Sequence, residues 1–411
     1  MSQLQPIWLA EPAVRRLIAA LAAGGIEARF VGGCVRDAIV GFGTGDIDLA
    51  TPARPEAVMA ALAASRIKAL PTGLAHGTVT AMVRPRTFEI TTLRRDVETD
   101  GRHARVAFDA GWAEDAARRD FTINAIYMAP DGMLDDPVGG RADLAARRVR
   151  FVGDAATRIA EDVLRILRYY RFEARFGGGD GDVEARAACR DAAGKLSTLS
   201  AERVWRELSA LLGLPRPIRA LTMMRDDGIL AALLPEGTRL DRLERVLAWE
   251  SIWDGAAMKP FPNILWRLAA LIDVDRSGAV ALARRLRLSA AQRERLTGLA
   301  KPWPLDPSAN EQAQRLALYR VGWENFLGIV YLLAAEGRLS AKKLNEVIRQ
   351  AGRWTPPAFP LGGEDVTALG IAPGPRVGRL LSAVKRWWEE GDFAADRDAC
   401  LTRLKELAAR S

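Results

Sequence analysis

The feature that most constrains this chain of 411 residues is a glycine turn followed closely by two aspartates. The apolar pair Phe30-Val31 runs into Gly32-Gly33, and Val35-Arg36-Asp37 then begins a helical pattern. This order predicts a strand, a tight turn and a helix. The backbone N–H groups of such a turn can face a phosphate. The motif Asp46-Ile47-Asp48 follows in the next predicted strand.

The two aspartates are one residue apart in a short apolar stretch, which predicts a strand whose side chains alternate between faces. Ile47 and Leu49 then point into a core, and Asp46 and Asp48 share the opposite face. Two carboxylates so close repel each other unless a cation lies between them. Oxygen ligands suit a hard divalent cation, and we expect Mg²⁺. Surface strands often contain such a pair too, so the prediction depends on its combination with the glycine turn.

The length predicts two to four domains, since one compact core rarely grows beyond about 300 residues. Hydrophobic residues make up 49% of the chain and charged residues 27%, which is typical of soluble globular proteins. No apolar run approaches the roughly 20 residues that span a bilayer. The 3 cysteines are far apart and odd in number, which argues against a disulfide framework or a zinc site. We therefore expect a cytoplasmic protein without a membrane segment.

The net charge of +8 is unevenly distributed. Residues 1–140 contain slightly more acidic than basic side chains, so the whole positive excess lies in residues 141–411. Arginine supplies most of it, and its planar guanidinium binds phosphates through two N–H groups. Arg376 and Arg379, at the start of a predicted helix, are candidates for such contacts. A polyanionic partner is one explanation, and an arginine-rich composition on solvated helix faces is the other.

The first 130 residues alternate strand and helix patterns, and the remainder is almost entirely helical in pattern. A helix is predicted over residues 55–66 and a hairpin from residues 78–83 and 88–93. If that hairpin packs beside the two aspartates, Glu89 becomes a third carboxylate of the same site; a surface glutamate on an edge strand is the alternative. Residues 94–112 are polar with little periodicity, and we expect a mobile loop there.

A third segment combines charged and amide side chains with an apolar pattern. Phe121 and Met128 fall on one helical stripe, which predicts a packed helix. Arg119, Asp120 and Asn124 are then polar side chains close to a core, where they cost stability unless they bind something.

A fourth segment contains a pair of residues able to read a nucleotide base. The apolar residues of 159–174 repeat with the helical period, which predicts one continuous helix with Asp162 and Arg165 on the opposite face. These residues are one turn apart on such a helix, so an acceptor and a donor stand side by side. Cytosine and adenine each place an amino donor beside a ring-nitrogen acceptor, whereas uracil and guanine place a carbonyl beside an N–H donor. The pair could accept C and A and reject U and G; an ordinary salt bridge is the alternative.

In their order along the chain, these motifs closely resemble those of the class II tRNA nucleotidyltransferases. This family comprises the CCA-adding enzymes and the bacterial poly(A) polymerases, within the polymerase-beta-like superfamily. The matching motifs are Gly32-Gly33-x-Val35-Arg36-Asp37, Asp46-x-Asp48, Glu89-Ile90-Thr91-Thr92, Arg118-Arg119-Asp120-Phe121-Thr122-x-Asn124-Ala125 and Glu161-Asp162-x-x-Arg165.

The resemblance implies that Asp46 and Asp48 bind two Mg²⁺ ions, with Glu89 as the third carboxylate. One ion would activate the 3′-hydroxyl of an RNA and the other would stabilise the leaving pyrophosphate, so that the hydroxyl attacks the α-phosphorus of the nucleotide. The resemblance also implies a nucleotide site in which the triphosphate, the sugar and the base each have their own contacts. That site would consist of Gly33, Arg36, Arg119, Asp120, Asn124, Asp162, Arg165, Arg168 and Arg171.

Pattern and resemblance together predict an α+β protein with an N-terminal polymerase-beta-like nucleotidyltransferase head of mixed sheet and helices, followed by an all-α C-terminal region. The predicted domains are a catalytic head (1–140), a helical neck with the base-reading motif (141–200), and a helical body and tail that bind tRNA (201–411). The predicted function is template-independent addition of CCA to the tRNA 3′ end from CTP and ATP. A poly(A) polymerase, and a partial enzyme that adds only CC or only A, stay open. Nothing in the sequence indicates an obligate protein partner.

Overall fold

The computed structural model of the chain describes residues 3–43, 45–73, 77–99, 104–253, 263–301, 303, 306 and 310–410. The chain divides into two compact units, Met1–Pro235 and Glu236–Ser411. The predicted head and neck both fall within the first unit, and the boundaries at residues 140 and 200 stay predictions.

All of the described strands belong to the first unit. They are β1 Arg29–Val31, β2 Asp48–Thr51, β3 Lys68–Gly73, β4 Thr78–Val83, β5 Arg86–Thr92, β6 Arg95–Thr99, β7 Ala104–Ala107, β8 Tyr127–Met128 and β9 Leu134–Asp135. Seven of them form one sheet in the order β3-β4-β5-β2-β1-β8-β9, and β6 and β7 form a separate ribbon. The neighbours β2 and β5 are parallel and the other pairs are antiparallel, so the predicted mixed sheet is confirmed.

Helices accompany the sheet and make up almost all of the regular structure after it, which confirms the predicted α+β class. Those of the first unit are α1 Pro12–Ala23, α2 Gly33–Ile39, α3 Pro55–Ala64, α4 Trp112–Ala117, α5 Gly140–Ala145, α6 Ala155–Glu161, α7 Leu164–Phe176, α8 Val183–Asp191, α9 Ala201–Leu212, α10 Ile218–Asp226 and α11 Ile229–Leu233. Those of the second unit are α12 Leu240–Trp253, α13 Ile264–Leu271, α14 Arg276–Arg285, α15 Ala290–Gly298, α16 Glu311–Ala335, α17 Ala341–Ala351, α18 Gly363–Thr367, α19 Pro375–Glu390 and α20 Arg397–Arg410. Among the described helices, none is long and apolar enough to cross a membrane.

Local sequence explains where the glycine turn and the aspartates lie. β1 ends at Val31, and Gly32 has a φ of 75°, a conformation that glycine adopts without strain, so that α2 begins at Gly33. Ile47 and Leu49 are 2% and 1% exposed, as the predicted alternation requires. Asp46 is exposed and lies just before β2, whose first residue is Asp48.

The segment after α4 is joined to α7 by an aromatic cluster. The ring of Phe121 lies 4.9 Å from that of Phe151 and 5.1 Å from that of Phe172, measured between centroids. Phe151 in turn stacks on Tyr169 at 5.9 Å. All four side chains are buried, so the cluster fixes α7 beside the turn that follows α4.

Two predicted segments are wrong in type. Within residues 94–112, β6 and β7 pair in an antiparallel ribbon rather than forming an irregular loop; residues 100–103 of that segment lie outside the described residues. β6 is mainly polar and β7 has only four residues, so no apolar period marks the ribbon. Phe121 and Met128 do not share a helix, because α4 ends before them, a 3₁₀ turn occupies Thr122–Asn124 and Met128 belongs to β8. Both side chains are buried, so the apolar pattern reports burial there but not helix.

The predicted continuous helix over 159–174 is also wrong. α6 ends at Glu161, α7 begins at Leu164, and Asp162 between them has an extended backbone with φ −152° and ψ 106°. Its Oδ1 accepts a hydrogen bond of 3.1 Å from the backbone N–H of Leu164. Aspartate offers this local alternative to helical hydrogen bonding, which explains a break that no proline or glycine marks.

Candidate active site

Two arginines face the glycine turn between β1 and α2. A Cβ atom at residue 32 would lie 4.0 Å from Nη1 of Arg119, and one at residue 33 would lie 3.7 Å from Nη2 of Arg36. Both positions are glycine, so the backbone is accessible between two guanidinium groups. A glycine turn bordered by two cations suits a bound polyphosphate.

The predicted carboxylates meet across two neighbouring strands. Asp48 of β2 is in register with Glu89 of the parallel strand β5. Burial, together with the negative charges of Glu89 and Asp46, raises the pKa of Asp48 to about 6, and only the positive charge of Arg119 opposes the shift. The prediction that Glu89 joins the aspartates is thus consistent with the sheet register. The group has an excess of negative charge, which a divalent cation would compensate.

The donor set fits a hard cation that shares its coordination sphere with a substrate. Across the described ranges, no group of three or more His, Cys, Asp or Glu is arranged to hold a metal ion by itself. Mg²⁺ commonly binds one or two carboxylates and takes its remaining ligands from water and substrate phosphates. Asp46, Asp48 and Glu89 provide carboxylate oxygens of this kind beside the glycine turn.

Four predicted site residues form one hydrogen-bonded chain. Nη1 of Arg36 donates to Oδ1 of Asn124, whose amide donates to Oδ1 of Asp120 at 2.9 Å. Oδ2 of Asp120 accepts from Nε and Nη2 of Arg168 at 2.8 and 2.5 Å. The chain joins α2, the 3₁₀ turn after α4, and α7. Asp120 and Asn124 therefore hold two arginines in place, a role that the sequence did not indicate.

Breaking this chain at Asp120 is expected to destabilise the fold. Burial raises the pKa of Asp120, but the charge of Arg168 and the hydrogen bonds from Asn124 and Arg168 outweigh it, so the pKa lies below its ordinary value. The ionised form thus contributes stability above the ordinary pKa near 4, and this contribution is lost as the pH falls through the lower folded-state pKa. We expect Asp120→Asn to reduce the free energy of unfolding by about 2 kcal/mol at pH 7, since Arg168 keeps a partly buried charge without its partner. Urea unfolding of the wild type and the variant at pH 7 and pH 3 measures this effect. If the difference between their free energies of unfolding does not shrink at pH 3, the ionic explanation is wrong.

The arginines of α7 have further partners that sequence reasoning missed. Nε of Arg171 donates to Glu207 of α9 at 2.6 Å, and Nη1 of Arg168 lies 3.7 Å from the same carboxylate. Arg175 donates to Oδ2 of Asp37 at 2.9 Å, while Oδ1 of Asp37 accepts from Arg36. The guanidinium groups along one face of α7 are therefore held by carboxylates from other elements.

The side chains of Asp162 and Arg165 do not pair with each other in the described contacts, although the backbone N–H of Arg165 donates to the carbonyl of Asp162 at 3.0 Å. Nη2 of Arg203, in α9, donates to Oδ2 of Asp162 at 2.7 Å. Nη1 of Arg165 donates to the carbonyl of Arg158 at 2.8 Å and to the carboxylate of Glu161. The simple salt bridge considered from the sequence is therefore not the observed arrangement. Both side chains are partly exposed, and among the described residues Arg165 is held through Nη1.

Asp115 is the most prominent residue that sequence reasoning missed. Its side chain is 1% exposed, and its two oxygens accept hydrogen bonds from Arg118, Arg119 and Tyr127. Its position three and four residues before the two arginines is the usual spacing of ion pairs on a helix, and this signal was present in the sequence. Arg203 and Glu207 offered no such signal, since their partners lie about 40 residues away.

Two family models match the chain. The model described as the poly A polymerase head domain matches residues 28–150, which include the sheet, the glycine turn and the carboxylates. The model described as a probable RNA and SrmB-binding site of polymerase A matches residues 182–240.

Curated relatives and a solved structure match almost the whole chain. The Mus musculus protein named CCA tRNA nucleotidyltransferase 1, mitochondrial, is 32% identical over 394 residues, covering 92% of this chain and 87% of its own length. The CCA-adding enzyme of Geobacillus stearothermophilus is 30% identical over 404 residues, or 93% of each protein. The crystal structure of Bacillus stearothermophilus CCA-adding enzyme in complex with CTP has a TM-score of 0.77 at 29% identity, covering 97% of this chain and 98% of that one.

Proposed function

The chain belongs to the family of CCA-adding tRNA nucleotidyltransferases, and on that premise we propose that it adds CCA to the 3′ end of tRNA from CTP and ATP. One observation supports this most strongly: Arg119 is close to the glycine turn and its charge also acts on the carboxylate of Asp48. A phosphate held at the turn is then adjacent to a cation-binding group, as nucleotidyl transfer requires. The names of relatives matched over nearly their full length point to the same reaction.

In the proposed reaction, the 3′-hydroxyl of the tRNA forms a bond to the α-phosphorus of the nucleotide, and the bond from that phosphorus to the bridging oxygen of pyrophosphate breaks. Gly33, Arg36 and Arg119 bind and orient the triphosphate. The hydrogen-bonded chain through Asn124 and Asp120 keeps Arg36 at the turn, so little reorganisation is needed when the nucleotide binds.

We propose that Asp46, Asp48 and Glu89 hold Mg²⁺, in the two-ion arrangement of the superfamily. Bound there, the ions would activate the hydroxyl and stabilise the pyrophosphate. The raised pKa of Asp48 supports the assignment, because three neighbouring carboxylates are costly without a cation.

For base selection, we propose that Asp162 accepts from the exocyclic amino group of C or A while Arg165 donates to the adjacent ring nitrogen. In the described contacts Asp162 is held by Arg203, and Arg165 by Glu161 through one nitrogen only. These partners fix the two side chains and leave lone pairs and N–H donors for the base. Arg168 and Arg171 support this pocket from the next turns of α7.

The tRNA-binding surface is proposed to include two basic stripes on the second unit. Lys342, Arg349 and Arg353 are exposed along one face of α17 and just beyond it, and Arg379 and Arg386 are exposed along α19. None of the five forms an ion pair with the part of the chain that the structure describes, whereas most other arginines do. Unpaired cations in rows suit a phosphate backbone.

Neutralising the α17 stripe is expected to weaken tRNA binding in a salt-dependent way. The triple variant Lys342→Gln, Arg349→Gln, Arg353→Gln should reduce the steepness of log affinity against log salt by about 2. With three fewer phosphate contacts, tRNA binding releases fewer counterions. Filter binding between 50 and 200 mM salt measures this. The matched control replaces Arg54, Arg66 and Lys68 of the first unit, which are exposed and form no ion pair with the residues that the structure describes. Equal slopes for the two triple variants would contradict the assignment.

A staged assay distinguishes full CCA addition from the alternatives. tRNA transcripts that end before CCA, after C and after CC are incubated with CTP and ATP separately. Full CCA addition predicts CTP incorporation on the first two and a single A on the third. Failure at one stage would indicate a partial enzyme, and long A tails on unrelated RNA would indicate a poly(A) polymerase.

A cytoplasmic location remains part of the proposal. The three cysteines are free and buried, which suits a reducing compartment. The mouse relative is named as mitochondrial, so fractionation with a compartment marker is the test.

A further inference from the structure

We propose that Asp115, with Tyr127, positions Arg119 so that one guanidinium nitrogen, Nη1, is presented to the nucleotide. The inference rests on the proposed function and names a residue outside its predicted site. It concerns a positioning role, since Asp115 is buried and reaches the nucleotide site only through Arg119.

The geometry leaves Arg119 one direction for binding. Its Nε and Nη2 both donate to Oδ2 of Asp115, at 3.2 and 2.9 Å, and Nε also lies 3.3 Å from the hydroxyl of Tyr127. That hydroxyl donates to the same Oδ2 at 2.7 Å, so the three groups form a closed triangle. The guanidinium plane is thereby fixed. Nη1 is the remaining nitrogen, and it faces Gly32.

The electrostatics of the cluster agree with this role. One carboxylate faces two arginines, so the cluster retains an excess positive charge. Burial opposes the ionisation of Asp115, but the charges of Arg119 and Arg118 outweigh it and keep its pKa below the ordinary value. Burial raises the pKa of Tyr127, which therefore stays a donor. Nη1 brings part of the Arg119 charge close to Gly32, and that charge acts to lower the pKa of Asp48.

Arg118 provides a matched comparison within the same cluster. It donates to Oδ1 of Asp115 from Nε and Nη2, at 2.9 and 2.6 Å, and so contacts the opposite edge of the carboxylate. Replacing Arg118 removes one of the two cations but leaves the triangle of Asp115, Tyr127 and Arg119 intact. If Asp115 served only as the buried partner of the two cations, losing Arg118 should affect nucleotide binding about as much as losing Asp115.

Equilibrium binding of CTP and ATP to the full chain tests the proposal without depending on tRNA. Asp115→Asn should weaken the binding of both nucleotides by about 10- to 100-fold, because Arg119 loses its charge-assisted anchor. Arg118→Met should change either affinity by less than about threefold. Tyr127→Phe keeps the carboxylate of Asp115 and the aromatic ring, and it should weaken the binding of both nucleotides by about two- to fivefold. This second variant keeps the proposal testable if Asp115→Asn does not fold.

A double-mutant cycle separates positioning from a general structural effect. If Asp115 acts through Arg119, adding Asp115→Asn to Arg119→Met should weaken nucleotide binding by less than about twofold further. Additive effects, or unchanged affinities in folded Asp115→Asn and Tyr127→Phe proteins, would overturn the inference. If both variants bind CTP and ATP as tightly as the wild type, and the wild type adds CCA normally, the inference is wrong but the proposed function stands. A wild type that binds neither nucleotide would overturn both.

Discussion

Replacing Asp48 by Asn is expected to lower the rate of nucleotide addition by at least about a thousandfold, which corresponds to about 4 kcal/mol of transition-state stabilisation. Asp48 is the carboxylate most enclosed by the others, opposite Glu89 and next to Asp46. Asn keeps the shape of the side chain but removes the negative charge that we propose holds the cation. The measurement is single-turnover addition of A to a tRNA ending in CC, at saturating ATP and Mg²⁺. A loss of less than tenfold would contradict the role of Asp48.

The same substitution should stabilise the metal-free protein. The folded-state pKa of Asp48 is raised to about 6, so the cost of ionising it grows between pH 4 and 6 and is complete above that range. Raising the pKa from 3.8 to about 6 corresponds to about 3 kcal/mol at most, and we expect a gain of about 1–3 kcal/mol for Asp48→Asn at pH 7.5 and almost none at pH 4. Mg²⁺ should stabilise the wild type and have much less effect on the variant. Thermal unfolding at both pH values, with EDTA or Mg²⁺, measures both differences. A wild type that is as stable as the variant in EDTA at pH 7.5 would contradict the repulsion between the carboxylates.

The second large effect is expected on base selection. The double variant Asp162→Ala, Arg165→Ala should reduce the preference for CTP and ATP over UTP by at least about 100-fold, since each lost hydrogen bond to the base edge contributes about 1–3 kcal/mol of discrimination. Most of the change should be a loss of CTP and ATP incorporation. Exchanging the two charges is a poorer design, because an arginine at residue 162 would face Arg203 and an aspartate at residue 165 would face Glu161.

Two controls separate base reading from damage to the site. The stabilisation of the double variant by Mg²⁺ should equal that of the wild type, because the carboxylates of β2 and β5 are unchanged. Arg203→Gln removes the partner of Asp162 but leaves both Asp162 and Arg165 in place, so it should keep selectivity within about threefold of the wild type. Unchanged selectivity in the double variant would show that other residues read the base.

The parts of the site that could be predicted from sequence are those set by local pattern. Glycine at residue 32 is required by its backbone conformation, and the alternation of Ile47 and Leu49 with the aspartates has the period of a strand. Glu89 could be placed on a strand in the same way, but the sequence did not decide whether that strand packs beside the two aspartates, and its register with Asp48 is visible only in the fold. The order of these motifs along the chain then indicated the family.

What could not be predicted depends on particular side-chain contacts, one of them local and the others between distant segments. The helix break at Asp162 follows from a side chain that binds the backbone of Leu164, and the apolar period continues through it without interruption. The pairing of Asp162 with Arg203, or of Arg171 with Glu207, depends on how α7 packs against α9. The polar chain from Arg36 to Arg168 likewise joins three elements that only the fold brings together. A single sequence records none of these contacts.

Sequencing the 3′ ends of tRNA products tests the central claim most directly. A transcript that lacks CCA is incubated with the protein, Mg²⁺ and all four nucleotides in equal amounts, and a second reaction contains the Asp48→Asn protein. We predict that most wild-type products end in CCA with no further addition, and that the variant leaves the transcript unextended. Wild-type products that end in A tails of variable length, or in U or G, would contradict this claim. So would a variant that makes the same additions as the wild type.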